Sequence, residues 1–247
     1  MKEDRGVFIS EYRNYKVYFF IAIATMVVLY SLSLILDLDL AIKLNREDGV
    51  VENLTAIAFF LMAVVFLILF IRTRKLINLL FALVFLFGAG EEISWGQRLF
   101  GFEVPESINK VNAQDEFNVH NLNVFNSVNE EGHKQGIARF MGFNTLYFLF
   151  TLFYGILLPA FFMKLGFVRK IVERIHLPVP PLILGIFFLL NYLIFKSISL
   201  LYVIEGSSLQ FSSVIDESKE LGSAIIFLLI SITFLTTIKK PQKKINT

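Results

Sequence analysis

Two adjacent carboxylates, Glu91 and Glu92, close the apolar run 76–90, and the chain continues Ile93-Ser94-Trp95-Gly96-Gln97-Arg98. Ionisable groups at the mouth of a membrane span are costly and tend to be functional. In a desolvated setting, at least one of two neighbouring carboxyls holds its proton to higher pH. Such a pair suits a proton donor and acceptor, or a cation site. If the helix continues past Glu92, Glu91, Trp95 and Arg98 share a face at i, i+4 and i+7. Glu92 is then turned about 100° away, toward different partners. In that arrangement Trp95, Gln97 and Arg98 orient a polar or phosphate head group. The plain alternative is an interfacial anchor, with Trp95 at headgroup depth and the acids and Arg98 in water. Gly88-Ala89-Gly90 weighs against it, because small residues let a second helix approach and turn the carboxylates toward protein.

A second constellation is Asn112-Ala113-Gln114-Asp115-Glu116-Phe117-Asn118-Val119-His120-Asn121. If this piece is helical, Glu116 and His120 fall at i and i+4 and reach one ion. Carboxylate plus imidazole suits Zn, Mn or Fe, and carboxylates with amide oxygens suit Ca or Mg. A single Glu-x-x-x-His pair is a weak signal. It strengthens if the piece folds back over Glu52, Glu92 and Glu220. The expected ligand set for a divalent metal ion is therefore Glu52, Glu116, His120 and Glu220.

Glu52 and Glu220 come from two similar stretches, Asp48-x-x-x-Glu52-x-x-Thr55-Ala56-Ile57 and Asp216-x-x-x-Glu220-x-x-Ser223-Ala224-Ile225. Each reads as a helix start. Ordinary capping by acids at a helix N-terminus explains both; a duplicated element around one cavity is the sharper reading. Lys196 interrupts an apolar segment and either snorkels to the surface or pairs with one of these glutamates. His133 reads as exposed loop and His176 as structural. No Gly-x-Ser-x-Gly, phosphate-binding glycine loop or His-Glu-x-x-His is present.

The elements that must position these residues are membrane helices. Of 247 residues 55% are hydrophobic and only 18% charged, and the mean hydropathy is +0.66; a soluble domain carries roughly 25% charged residues. The absence of cysteine excludes disulfides and thiolate chemistry. Six apolar segments stand out, at about 17–36, 53–71, 76–90, 140–163, 181–203 and 220–238. The first has too long an apolar core for a signal peptide. The third is short unless the stretch to Arg98 extends it.

The basic clusters at Lys2 to Lys16, Arg72 to Lys75, Lys164 to Arg174 and Lys239 to Lys244 fall on one side of a six-span chain, which makes that side cytoplasmic. Of 21 acids only Glu3, Asp4, Glu11 and Glu173 share it. The rest either solvate the outer face or build a site there.

The expected fold is thus an all-α polytopic bundle of about six transmembrane helices with both termini cytoplasmic. It forms one integral membrane domain over 1–247, with 99–139 as an extracytoplasmic loop or cap, in a bacterial cytoplasmic (plasma) membrane. The expected function is that of a metal-dependent enzyme on a lipid or lipid-linked envelope substrate, with Glu91 and Glu92 catalytic and Trp95, Gln97, Arg98 and Lys196 binding substrate. The alternatives are a non-catalytic scaffold that docks a membrane protein partner, and an ion-coupled transporter. No basic patch with interleaved aromatics points to nucleic acid.

Overall fold

The computed structural model describes residues 15–36, 38–45, 49–112, 116–119, 121–126, 136–204 and 209–237. The two terminal basic clusters (but for the helical backbone of Lys16), Asp48, His120 and His133 lie outside the described residues. Within them every regular element is helical, apart from one isolated antiparallel bridge between Asn112 and Leu122. This is the expected class, because a chain in hydrocarbon must satisfy its backbone internally.

In chain order the helices are α1 (Tyr15–Ile35), α2 (Leu38–Asn45), α3 (Val50–Thr73) and α4 (Leu76–Glu92). Four single turns follow: α5 (Gln97–Phe100), α6 (Glu106–Asn109), α7 (Asn123–Asn126) and α8 (Ala138–Met141). Next come α9 (Phe143–Phe150), a π-helix (Thr151–Leu157), α10 (Leu158–Lys164), α11 (Gly166–Ile175), α12 (Leu182–Ile204) and α13 (Leu209–Thr237). Five helices are long and apolar enough to cross a membrane, as an integral membrane protein requires: Val17–Ile35, Val50–Thr73, Thr145–Lys164, Leu182–Leu201 and Val214–Thr236. The sixth apolar helix, α4, has 17 residues and rises about 25 Å.

α3 and α4 form an antiparallel hairpin, and α13 packs along both α3 and α12. The hairpin turn is tight because Arg74 takes a left-handed conformation (φ 56°) and donates its N–H to Phe70 O at 2.7 Å. Asn78 Nδ2 reinforces it with a 2.9 Å bond to Thr73 Oγ1. The core between these helices is aromatic. Phe66 stacks on Phe81 at 4.9 Å and on Phe85 at 5.5 Å, and Phe85 meets Phe227 at 4.8 Å. Since lipid tails are as apolar as these rings, van der Waals packing and not hydrophobic burial holds the helices together.

Two segments depart from expectation. The fourth is an α-helix only to Phe150 and then widens into a π-helix. Pro159 has no N–H for the carbonyl of Gly155 and its ring crowds that position, so the wider turn accommodates the break. Gly155 there meets Gly185 of α12 backbone to backbone: a Cβ on Gly185 would stand 1.7 Å from Gly155 O. The last helix begins at Leu209 and not near 220. Asp216 and Glu220 are therefore helix-interior residues, while Glu52 sits in the first turn of α3. The two acidic stretches are not equivalent helix starts.

Candidate functional site

The helix does not run on from Glu92 to Arg98. α4 stops, and Ser94, Trp95 and Gly96 follow with φ of 46°, 51° and 81°. Three successive left-handed residues, two of them not glycine, cost roughly 1–2 kcal/mol each for the non-glycines. Such strain persists only where the surroundings impose it, and it clusters at functional sites. Glu91, Trp95 and Arg98 thus share no helical face; Gln97 and Arg98 open the separate turn α5.

Trp95 nevertheless folds back onto α4. Its Nε1 donates to Glu91 Oε1 at 2.7 Å, and its ring meets Phe87 edge-on at 5.4 Å. Gly90 makes room, since a Cβ there would lie 3.0 Å from the indole. Gly88 faces Phe59 of α3, so of the three small residues one serves helix contact and one serves the tryptophan.

The loop 112–121 clamps this turn. Glu116–Val119 is not helical, so the i, i+4 argument for Glu116 and His120 fails. Glu116 is 2% exposed. Its Oε2 accepts from Ser94 Oγ at 3.1 Å, from Asn121 Nδ2 at 3.0 Å and closely from Asn118 Nδ2. Asn112 Nδ2 donates to Asn118 O at 3.2 Å, and Asn112, Asn118 and Asn121 are all buried. Two further bonds dock the loop: Phe117 N donates to Gln97 Oε1 at 2.7 Å and Val119 N to Glu91 Oε2 at 2.7 Å. A carboxylate with several donors on one oxygen, inside a shell of amides, is a structural tie as it stands. Sequence reasoning named Gln97, Glu91 and Glu116 but missed Ser94, Asn118 and Asn121 as their partners.

Glu91 and Glu92 therefore have different company. Glu91 is buried and committed to Trp95 and Val119. Glu92, half-buried just beyond the apolar run 76–90, carries no hydrogen bond or ion pair to a described residue. Burial pushes its carboxyl well above the ordinary range, and Glu220, Glu217, Glu52 and Glu91, in falling order, push the same way. Glu52 from α3 and Glu220 from α13 thus gather around Glu92, while Glu116 belongs to the amide shell around Ser94. Among the described residues no three Asp, Glu or His side chains group closely enough to hold a metal ion.

The buried cation at this end is Lys219, which sequence reasoning did not single out. It is 2% exposed, with Nζ 2.8 Å from Asp216 and 3.6 Å from Glu220 and 4.5 Å from the Phe195 ring centroid. Lys196 is exposed, lies over the Phe195 and Tyr192 rings at 5.2 and 5.8 Å, and pairs with no described acid. Beneath Lys219 a polar chain crosses the bundle. Tyr30 OH donates to Asn191 Oδ1 at 2.9 Å, Asn191 Nδ2 to Lys219 O at 2.8 Å and to Ser223 Oγ at 2.9 Å, and Ser223 Oγ lies 2.7 Å from Tyr147 OH. Ser33 and Ser218 hydroxyls, 2.7 Å apart, join α1 to α13.

The assembled end of the molecule is a strained turn, an amide-clamped loop and a carboxyl with no partner among the described residues, set among further acids. The chain matches no protein-family profile, no curated protein and no solved structure.

Proposed function

We propose that this is a membrane enzyme that performs acid–base chemistry at Glu92 on a lipid or lipid-linked substrate. The observation that carries the reading is the division between the paired acids. Glu91 is consumed by structure, and Glu92 is held near three further glutamates with no hydrogen bond or ion pair to a described residue. A carboxyl whose affinity for its proton is raised by burial and by neighbouring acids suits a general acid. Lys219 pairs with Asp216 and Glu220 and not with Glu92. Glu91 and the Glu116 clamp act as positioning groups, and Gln97 is committed to the loop backbone.

We read the chain as six spans with both termini cytoplasmic and α4 as the third crossing. This puts Glu92 at the outer surface of a bacterial plasma membrane, at headgroup level. The exposed rings and chains of Trp95, Leu99 and Phe100 beside the turn, the last 82% exposed, suit contact with lipid at that depth. They also favour the second reading, a docking surface for another membrane protein. Transport is less well supported, because the aromatic layer around Phe66, Phe85 and Phe227 fills the bundle beneath the polar chain.

The test is turnover. Purified protein is incubated with a total bacterial lipid extract, and products are compared by mass spectrometry for wild type and Glu92→Gln. Wild type should convert at least one lipid species, and Glu92→Gln should slow that conversion by about 100-fold or more. Conversion unchanged by Glu92→Gln, or none by wild type, would refute the proposal.

A further inference from the structure

At the opposite end of the bundle from Glu92, α11 has a face the acid site does not explain. Val168 and Val172 pack inward with Phe162, Leu177 and Val179. Phe167, Ile171 and Ile175, at i, i+4 and i+8, form one exposed stripe; they are 64, 55 and 50% exposed. At 100° per residue, Lys170 and Arg174 border that stripe on the side away from the valines. Lys164 stands exposed just before the helix. None of these three cations pairs with a described acid. Arg169 is excluded from the patch, because it turns back to cap α10, with Nη2 3.3 Å from Met163 O and 3.4 Å from Phe162 O. Glu173, the sole acid of α11, lies about 160° from the stripe.

An apolar stripe edged by uncompensated cations complements one kind of surface: acyl chains beneath anionic headgroups. We infer that α11 lies in the membrane interface and binds anionic phospholipid, with Phe167, Ile171 and Ile175 among the acyl chains and Lys164, Lys170 and Arg174 on the headgroup phosphates. A neutral bilayer would satisfy the stripe and leave the cations unused. An acidic protein surface would satisfy the cations and has no reason to match a stripe about two turns long.

The test uses the full chain purified in neutral detergent and offered phosphatidylglycerol and phosphatidylcholine with identical acyl chains. Retained lipid is counted by native mass spectrometry. Wild type should prefer phosphatidylglycerol by about fivefold or more. The exposed triple variant Lys164→Gln, Lys170→Gln, Arg174→Gln should lose that preference and still take phosphatidylcholine. The control Arg72→Gln, Arg74→Gln, Lys75→Gln at the α3–α4 turn should keep it. Phe167→Ser with Ile171→Ser should weaken both lipids alike. Absence of preference in wild type, its survival in the α11 triple variant, or its equal loss in the control would overturn the inference.

Discussion

Glu91 and Glu92 are one residue and about 100° of helix apart, and that rotation gives them different surroundings: Trp95 and the loop for Glu91, other glutamates for Glu92. The separation has a pH consequence. An acid with a raised pKa in the fold binds its proton more tightly folded than unfolded. Glu92 therefore contributes stability below its ordinary pKa of 4.5, and that contribution is lost as pH rises toward the folded value. Gln mimics the protonated carboxyl, so Glu92→Gln should melt close to wild type at pH 4 and above it at pH 8. Thermal unfolding in detergent across that range checks the sign; a variant less stable at pH 8 contradicts it. Glu116→Ala should act in the opposite sense. It strands the donors of Ser94, Asn118 and Asn121 in a buried site and should cost about 3 kcal/mol or more. Limited proteolysis should then cut between 99 and 139 well below the melting temperature of the helices. The clamp was partly legible: polar residues at 112, 114, 116, 118 and 120 recur every second position, the period of an extended segment and not of a helix. The left-handed turn was not, since only Gly96 marks it, and neither Ser94 nor Trp95 favours that conformation.

At the scale of elements, hydropathy located the apolar helices to within a few residues, because long Leu-, Ile- and Phe-rich runs have one stable form in lipid. It failed at α13, whose first turns carry Asp216, Glu217, Lys219 and Glu220. These residues are helical because that stretch is walled by protein: Val214, Ile215, Ser218 and Lys219 are all buried. A polar stretch that packs inward is invisible to an average over its residues, and here it carries the acids that gather beside Glu92. The π-helix is set by packing as well as by Pro159, through the Gly155–Gly185 contact. Gly185→Val drives a side chain into the Gly155 carbonyl and should destabilise the protein by about 3 kcal/mol or more. Gly166→Ala, where a Cβ meets open space, should leave the melting temperature nearly unchanged. Equal effects of the two substitutions would contradict this crossing.

For the whole molecule, the charges divide between two regions, acids around Glu92 and exposed cations on α11. The chain has no cysteine, so single-cysteine probes report cleanly on sidedness. In intact cells Phe100→Cys should react with an impermeant maleimide, and Lys170→Cys should react only after the membrane is opened. Reversed labelling would invert the proposed topology. The central claim is that Glu91 is bound up in the turn, whereas Glu92, whose carboxyl burial and neighbouring glutamates push upward, is the one open to reaction. A hydrophobic carbodiimide adds to protonated carboxyls in apolar surroundings, and peptide mass spectrometry assigns the adduct. Labelling of the purified protein at pH 7 should fall on Glu92, spare Glu91 and vanish from this peptide in Glu92→Gln; an adduct on Glu91, or an unmodified Glu92, would contradict the account.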